Sequence, residues 1–247
     1  DGWDRCVPPA TVIGWYEKAK AADPSRPVLV NFGMGMVDLK WPGRGVGAKQ
    51  TDYLEYVKAG DIVSFDIYPA AHYGGDNPPL HRVGEGVRLL HEWTQHKKPV
   101  WTVIECTAIH DHAKKPTPQQ VKAEVWMALT SGADGLLYFC HQFAKPMNTA
   151  APLADPEMLA AITAINKQIA ELAPVLNSPT PAEQTNVESS NGGVTIRTLT
   201  KQLDNQTYLF AVAEQRGGAK ATFTLPAIVA AQALSLIHIS EPTRRYA

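Results

Sequence analysis

Glu105 lies near the end of the run VWTVIEC, residues 100–106, among mainly apolar neighbours. An unpaired carboxylate in such surroundings costs several kcal/mol of lost hydration, on the order of 1–5. Two kinds of chemistry justify it there. One is catalytic, with the carboxylate attacking a substrate or carrying a proton; the other is structural, with the carboxylate paired to an interior Arg. Position alone leaves both open. Side-chain alternation places Trp101, Val103 and Glu105 on one face of the strand. In the run IVSFDIY, residues 62–68, the same rule puts Asp66 and Tyr68 together, with Phe65 and Ile67 opposite. Asp66 reads as a satisfied structural carboxylate or as a site anchor. Tyr68 reads equally as a functional hydroxyl or as packing.

A third group, His110, Asp111 and His112, has the donor types of a metal site. It lies in a loop beside Lys114 and Lys115, and no further ligand set is evident, so a solvated polar loop is the preferred reading. No bound metal or cofactor is expected.

These residues need rigid elements to hold them. Four short runs, 28–32 (VLVNF), 62–68, 100–106 and 135–139 (GLLYF), are β-branched or aromatic and nearly continuous, as in parallel strands covered on both faces. Between them, residues 51–59, 83–96 and 118–130 read as helices. Thr117 is the N-cap of the last and Gly132 its stop. The strand starts recur roughly every 35 residues, the length of a βα unit, which predicts a parallel α/β sheet. No G-x-G-x-x-G or G-x-x-x-x-G-K-[ST] occurs, so the dinucleotide-binding and P-loop versions lose their support. The loops after the strands are long and rich in aromatic, His and Gly residues, and in an eight-fold barrel these loops build the site. Upstream, residues 9–22 read as a helix. Downstream, 156–172 form a helix capped by Asp155, and after the linker NSPTPAE the strands 193–199, 207–214 and 219–225 begin an antiparallel β region. Trp93 and Trp126 fall within helices and are assigned to the core.

The chain has 247 residues, is 45% hydrophobic and 19% charged, and has a formal net charge of -1, so a packed core is within reach. Its charges are well mixed, which argues against a nucleic-acid partner. No window nears the roughly 20 apolar residues that span a bilayer, so no membrane association is expected. Cys6, Cys106 and Cys140 lack C-x-x-C spacing and are expected reduced and buried. Cys106 and Cys140 end consecutive strands, and a bridge between them stays open.

The runs ADPSRPVLVNFG, DIVSFDIYP, KPVWTVIE and SGADGLLYF resemble, in order, the fifth to eighth strands of clan A (β/α)8-barrel glycoside hydrolases. The nearest resemblance is to the family 42 β-galactosidase type, with family 5-like enzymes further off. It covers about residues 10–145 and rests chiefly on D-x-x-x-x-D-x-Y-P and P-x-W-x-x-x-E. The resemblance implies a retaining glycosidase with Glu105 as nucleophile, Tyr68 orienting it, and a second carboxylic acid roughly 5–5.5 Å away. It implies an oligo- or polysaccharide or glycoside substrate, met by Asn31, Asp66, His72, Tyr73, Trp101, His141 and Gln142, with Trp41 and Phe143 as further stacking faces. His141 and Gln142 depart from the Trp-like platform that related enzymes place after the eighth strand. The competing readings are a non-catalytic carbohydrate-binding barrel and a metal-dependent, amidohydrolase-like barrel.

In the clan the acid/base is a Glu closing the fourth strand. Asp1 and Asp4, the nearest acidic residues, read as loop residues, so the acid/base is expected upstream of this sequence. The first residue is not Met, and residues 234–244 (LSLIHISEPTR) resemble a translated sequencing-library adapter. The sequence is therefore expected to be a metagenomic fragment. Residues 1–176 would hold the C-terminal half of a TIM barrel, 177–233 the start of a β-sandwich-like domain, and 234–247 an artefactual tail. Such a half barrel is expected to aggregate or stay partly unfolded, and to be inactive by itself. Localisation is not legible; the resemblance allows a secreted or periplasmic setting.

Overall fold

The computed structural model describes residues 5–225 apart from Leu39 and Arg44. Asp1, Asp4 and the segment 234–247 lie outside the described residues. The protein is α/β. Strands β1 (Leu29–Phe32), β2 (Ile62–Asp66), β3 (Val100–Glu105) and β4 (Gly135–Phe139) form one parallel sheet in sequential order. Each neighbouring pair is joined through helical segments: α2 (Tyr53–Tyr56), then α3 (Pro69–Tyr73) with α4 (Arg82–Trp93), then α5 (Pro118–Thr130). Helix α1 (Pro9–Ala22) precedes the sheet and α6 (Pro156–Leu176) follows it. Sequential parallel strands with helical crossovers are the repeating unit of a (β/α)8 barrel, here four units in a row.

The caps explain where the helices start. Thr117 Oγ1 accepts from Gln120 N at 3.2 Å while Gln120 Oε1 accepts from Thr117 N at 2.8 Å, a complete capping box for α5. Asp155 Oδ1 accepts from Met158 N at 3.2 Å at the start of α6. Helix α4 stops at Trp93, short of the expected residue 96, because Gln95 and His96 take left-handed φ values of 54° and 56°. The stretch expected as loop after β2 instead opens with a five-residue helix, α3, which has Pro69 at its first position. The expected helix 51–59 is a 3-10 turn, Gln50–Asp52, running into the short α2.

The two faces of the sheet differ. Val63, Phe65 and Ile67 of the second unit, with Val100 and Ile104 of β3, point at the helices and are at most 1% exposed. They meet Val83, Val87 and Leu90 of α4 and Val121 and Val125 of α5 in one core. Gly86 lets α4 approach, for a Cβ there would stand 2.2 Å from Phe65 Cζ. On the opposite face Leu29 and Leu137 are each 38% exposed, and Trp101 lies against Gly135. The apolar runs predict two covered faces; among the described residues only the helix-side face is covered. In a closed barrel the other face is the interior, covered by the remaining strands.

After α6 come β5 (Asn186–Ser189), β6 (Ile196–Leu203), β7 (Gln206–Ala213) and β8 (Ala221–Thr224), paired antiparallel as β5 with β8 and β6 with β7. Asp204 and Asn205, at φ 50° and 61°, supply the tight turn of the β6–β7 hairpin. This hairpin packs on α5, with Phe210 stacked 5.6 Å from Trp126. Trp126 therefore seals the junction with the β region instead of filling the barrel-side core. Trp93 does join that core, stacked 5.9 Å from Tyr53. No described helix is long and apolar enough to cross a membrane.

Candidate active site

The two aspartates of D-x-x-x-x-D-x-Y-P serve opposite ends of β2. Asp61, just before the strand, accepts from Val28 N at 2.8 Å and from the Tyr16 hydroxyl at 2.8 Å, tying α1 to the sheet. The Val28 amide is the main reason its carboxyl is held below the usual range. Asp134 repeats the arrangement before β4, accepting from Val100 N at 2.8 Å. These clamps stand at the N-terminal ends of strands, where barrels place stability rather than chemistry. Asp66 closes β2 at the other end. Its Oδ1 accepts from Asn31 Nδ2 at 2.6 Å, and Asn31 Oδ1 in turn accepts from Ser64 Oγ at 3.0 Å. Register explains the chain, since Asn31 and Ser64 are paired neighbours and Asp66 is two residues on along the same face.

Glu105 ends β3 beside Phe139, its register partner on β4. It is 0% exposed. Oε1 accepts from Ala70 N at 2.6 Å and Oε2 from Ala71 N at 2.7 Å, both in the first turn of α3. No Arg faces it. Its neighbour is a second carboxyl, Glu124 of α5, within hydrogen-bonding reach and also 0% exposed. Burial raises the Glu105 carboxyl above its ordinary value, opposed by the hydrogen bonds from Glu124, Ala71 and Ala70. Burial, and then the Glu105 charge, raise Glu124 well above it. Neither Glu124 oxygen has a well-formed hydrogen bond among the described residues, and the Glu105 backbone amide opposes the rise only weakly. Glu124 was missed in the sequence, although the signal was there: it shares its helix face with Val121, Val125 and Ala128, where a carboxylate is out of place.

Tyr68 stacks on Phe139, with ring centroids 4.9 Å apart. Burial raises its hydroxyl strongly, with Asp66 the next influence and the Glu105 charge weaker. Its hydroxyl thus stands in the field of both carboxylates, Asp66 foremost. Phe139 continues into an aromatic group after β4: Phe143 lies 6.2 Å from Phe139, 4.1 Å from His141 and stacked 5.3 Å from His110. His141 Nε2 is buried without a partner among the described residues.

Other predicted site residues are engaged elsewhere. Gln142 Nε2 donates to Ala144 O at 3.1 Å and Pro146 O at 2.9 Å, pinning its own loop. His72 and Tyr73 are exposed on α3, edge to face at 4.8 Å, with Tyr73 Oη accepting from Arg82 at 2.6 Å. Trp101 lies across Gly135 on the open sheet face. In the H-D-H loop, Asp111 caps Ala113 N at 2.9 Å and His112 Nε2 meets Lys145 O at 3.0 Å. Among the described residues, no group of three His, Cys, Asp or Glu comes together as a cation site. The three cysteines are free; of the burial expected for all three only Cys106 has it, since Cys6 is half-buried ahead of α1 and Cys140 is exposed where it opens the loop after β4. The Cys106 thiol donates to Phe139 O at 3.3 Å, with Cys140 within hydrogen-bonding reach.

A carboxylate at a strand end, a tyrosine, an Asn–Asp pair and an aromatic cluster stand at the C-terminal edge of a parallel sheet, the edge at which barrels build their sites. No curated protein matches the chain. The sequence model of the family Glyco_hydro_42, described as Beta-galactosidase, matches residues 15–150, from within α1 through the loop after β4. That stretch is more than half of the 247 residues and holds the sheet and every group just described, so the chain belongs to this β-galactosidase family of glycoside hydrolases.

Proposed function

We propose that the complete protein is a retaining glycosidase in which Glu105 attacks the anomeric carbon of a glycoside. The carboxylate forms a glycosyl ester as the leaving oxygen takes a proton from a second carboxylic acid, and water then cleaves the ester. One observation carries the reading: a strand-end carboxylate held by two backbone amides, which favour its ionised, nucleophilic form despite full burial. Tyr68, Asp66 and Asn31 line the same strand ends and would meet sugar hydroxyls, and Phe143 with His141 would offer a stacking face. Glu124 does not qualify as the acid/base, because it lies on the α5 side of Glu105 and is closed from solvent. We assign that role to a strand ahead of β1, with residues 1–176 as the barrel part and 177–233 as the start of a β domain. The 247 residues by themselves would be inactive.

The enclosure of Glu105 favours one second reading, a carbohydrate-binding barrel without hydrolysis. The two separate on the full-length protein. Under the first, Glu105→Gln abolishes glycoside cleavage, and an activated fluoroglycoside leaves a covalent sugar on Glu105. Cleavage that survives Glu105→Gln would remove the nucleophile assignment. Sugar binding without turnover in the unmodified protein would favour the second.

A further inference from the structure

The pairing of Glu105 with Glu124 goes one step beyond the nucleophile assignment and rests on it for its catalytic consequence. Both carboxyls are 0% exposed. Glu105 has a backbone N–H on each oxygen, while neither Glu124 oxygen has a well-formed hydrogen bond among the described residues, the Glu105 amide acting on it only weakly. The groups that face the pair are the Cys106 thiol beside it, Cys140 against that thiol, and Tyr68 across from Glu105. None of them is a cation. The cations on elements packed against α5 are engaged elsewhere: Arg82 of α4 donates to the Tyr73 hydroxyl, Arg88 of α4 and Arg197 of β6 bind Glu214, Lys201 of β6 donates to Ser178 O, and Lys167 of α6 faces Glu171.

Two ionised carboxylates side by side without water or a counter-ion repel strongly, so such a pair retains one proton. The amides decide where it sits. They stabilise the negative form of Glu105 at both oxygens, whereas for Glu124 only the Glu105 backbone amide acts in that sense, and as the weakest influence on it.

We propose that Glu124 is a positioning residue for Glu105: a carboxylic acid that keeps its proton and donates it as a hydrogen bond to the Glu105 carboxylate, fixing it against the Ala70 and Ala71 amides. Glu105 is then held from two sides, by α3 through the amides and by α5 through the acid. Its orientation is set before substrate arrives, which is where misplacement by about 1 Å costs on the order of 10²-fold in rate.

The test has two independent arms on the full-length protein. In the first, infrared spectroscopy near neutral pH looks for the carbonyl band of a protonated carboxyl; the band is expected in the unmodified protein and lost in Glu124→Gln. A missing band, or one that persists in Glu124→Gln and disappears in Glu105→Gln, would overturn the proposal whatever the activity. In the second, Glu124→Ala is expected to lower kcat by about 10²-fold with little change in KM. Glu124→Gln, whose amide can still donate, restores most of the loss and removes the alkaline limb of the pH profile that ionisation of Glu124 would cause. Equal loss in both variants, once each is shown to be folded, would leave Glu124 as packing only and sink the positioning role. Failure of the nucleophile assignment looks different, because Glu105→Gln would then stay active while the infrared arm still reports on the pair.

Discussion

Arg88 on α4 and Glu214 just after β7 stand 126 positions apart in sequence, yet Arg88 Nη1 and Glu214 Oε1 are 3.0 Å apart. Glu214 is 6% exposed and also binds Arg197 through both carboxylate oxygens, at 3.1 and 3.2 Å. One carboxylate thus joins the barrel-side helices to the antiparallel region, with Trp126 and Phe210 stacked nearby. Both arginines keep about a third of their side-chain surface in water, at 34% and 32%, which weakens the pair by screening. Glu214→Ala is expected to cost about 1–3 kcal/mol, less than removal of a fully enclosed partner. Denaturant unfolding measures it; a change near zero would mean that the β region docks through Trp126 and Phe210 alone.

Gly86→Ala tests the helix-to-sheet approach. Alanine gains about 1 kcal/mol of helix propensity over glycine, but its methyl would stand 2.2 Å from the ring of Phe65, itself 0% exposed. Overpacking of this kind costs about 1–3 kcal/mol, so net destabilisation is expected. Adding Phe65→Leu should recover part of the loss in a double-mutant cycle of thermal unfolding.

Two carboxyls give stability opposite dependences on pH. Asp61 is held below its ordinary value by the Val28 amide, so its contribution is present above about pH 4, the unfolded value, and fades as pH falls through the lower folded one. Asp61→Asn should flatten the acid side of a plot of Tm against pH. Glu124 is raised, so the native state holds its proton longer than the unfolded chain. Stability therefore declines as pH climbs from about 4.3 toward the folded value. Glu124→Gln should remove that decline and leave the protein more stable than the parent on the alkaline side. An unchanged slope in either variant would contradict the assigned direction.

Thiol labelling should rank the cysteines. Cys140 is exposed, whereas Cys106 is 1% exposed and its thiol is pushed up by burial. A maleimide at neutral pH is expected to modify Cys140 first and Cys106 only on unfolding, as read by mass spectrometry.

Local rules made the frame legible. The four apolar runs, the Thr117 and Asp155 caps and the strand-end place of Glu105 are all set within a few residues of chain, where side-chain period and capping chemistry act. Alternation also placed Asp66 apart from Phe65 and Ile67. Partnership was another matter. That Glu105 meets the amides of Ala70 and Ala71, and a carboxyl on α5 instead of an arginine, depends on how α3 and α5 lie over the sheet. Likewise Asp61 and Asp66 read as one motif, but one clamps Val28 at the base of β2 and the other takes Asn31 at its top. Sequence fixes which residues carry charge and where each stands along a strand or helix. Only the tertiary structure decides which charges lose their water together, because that depends on packing between segments far apart in the chain.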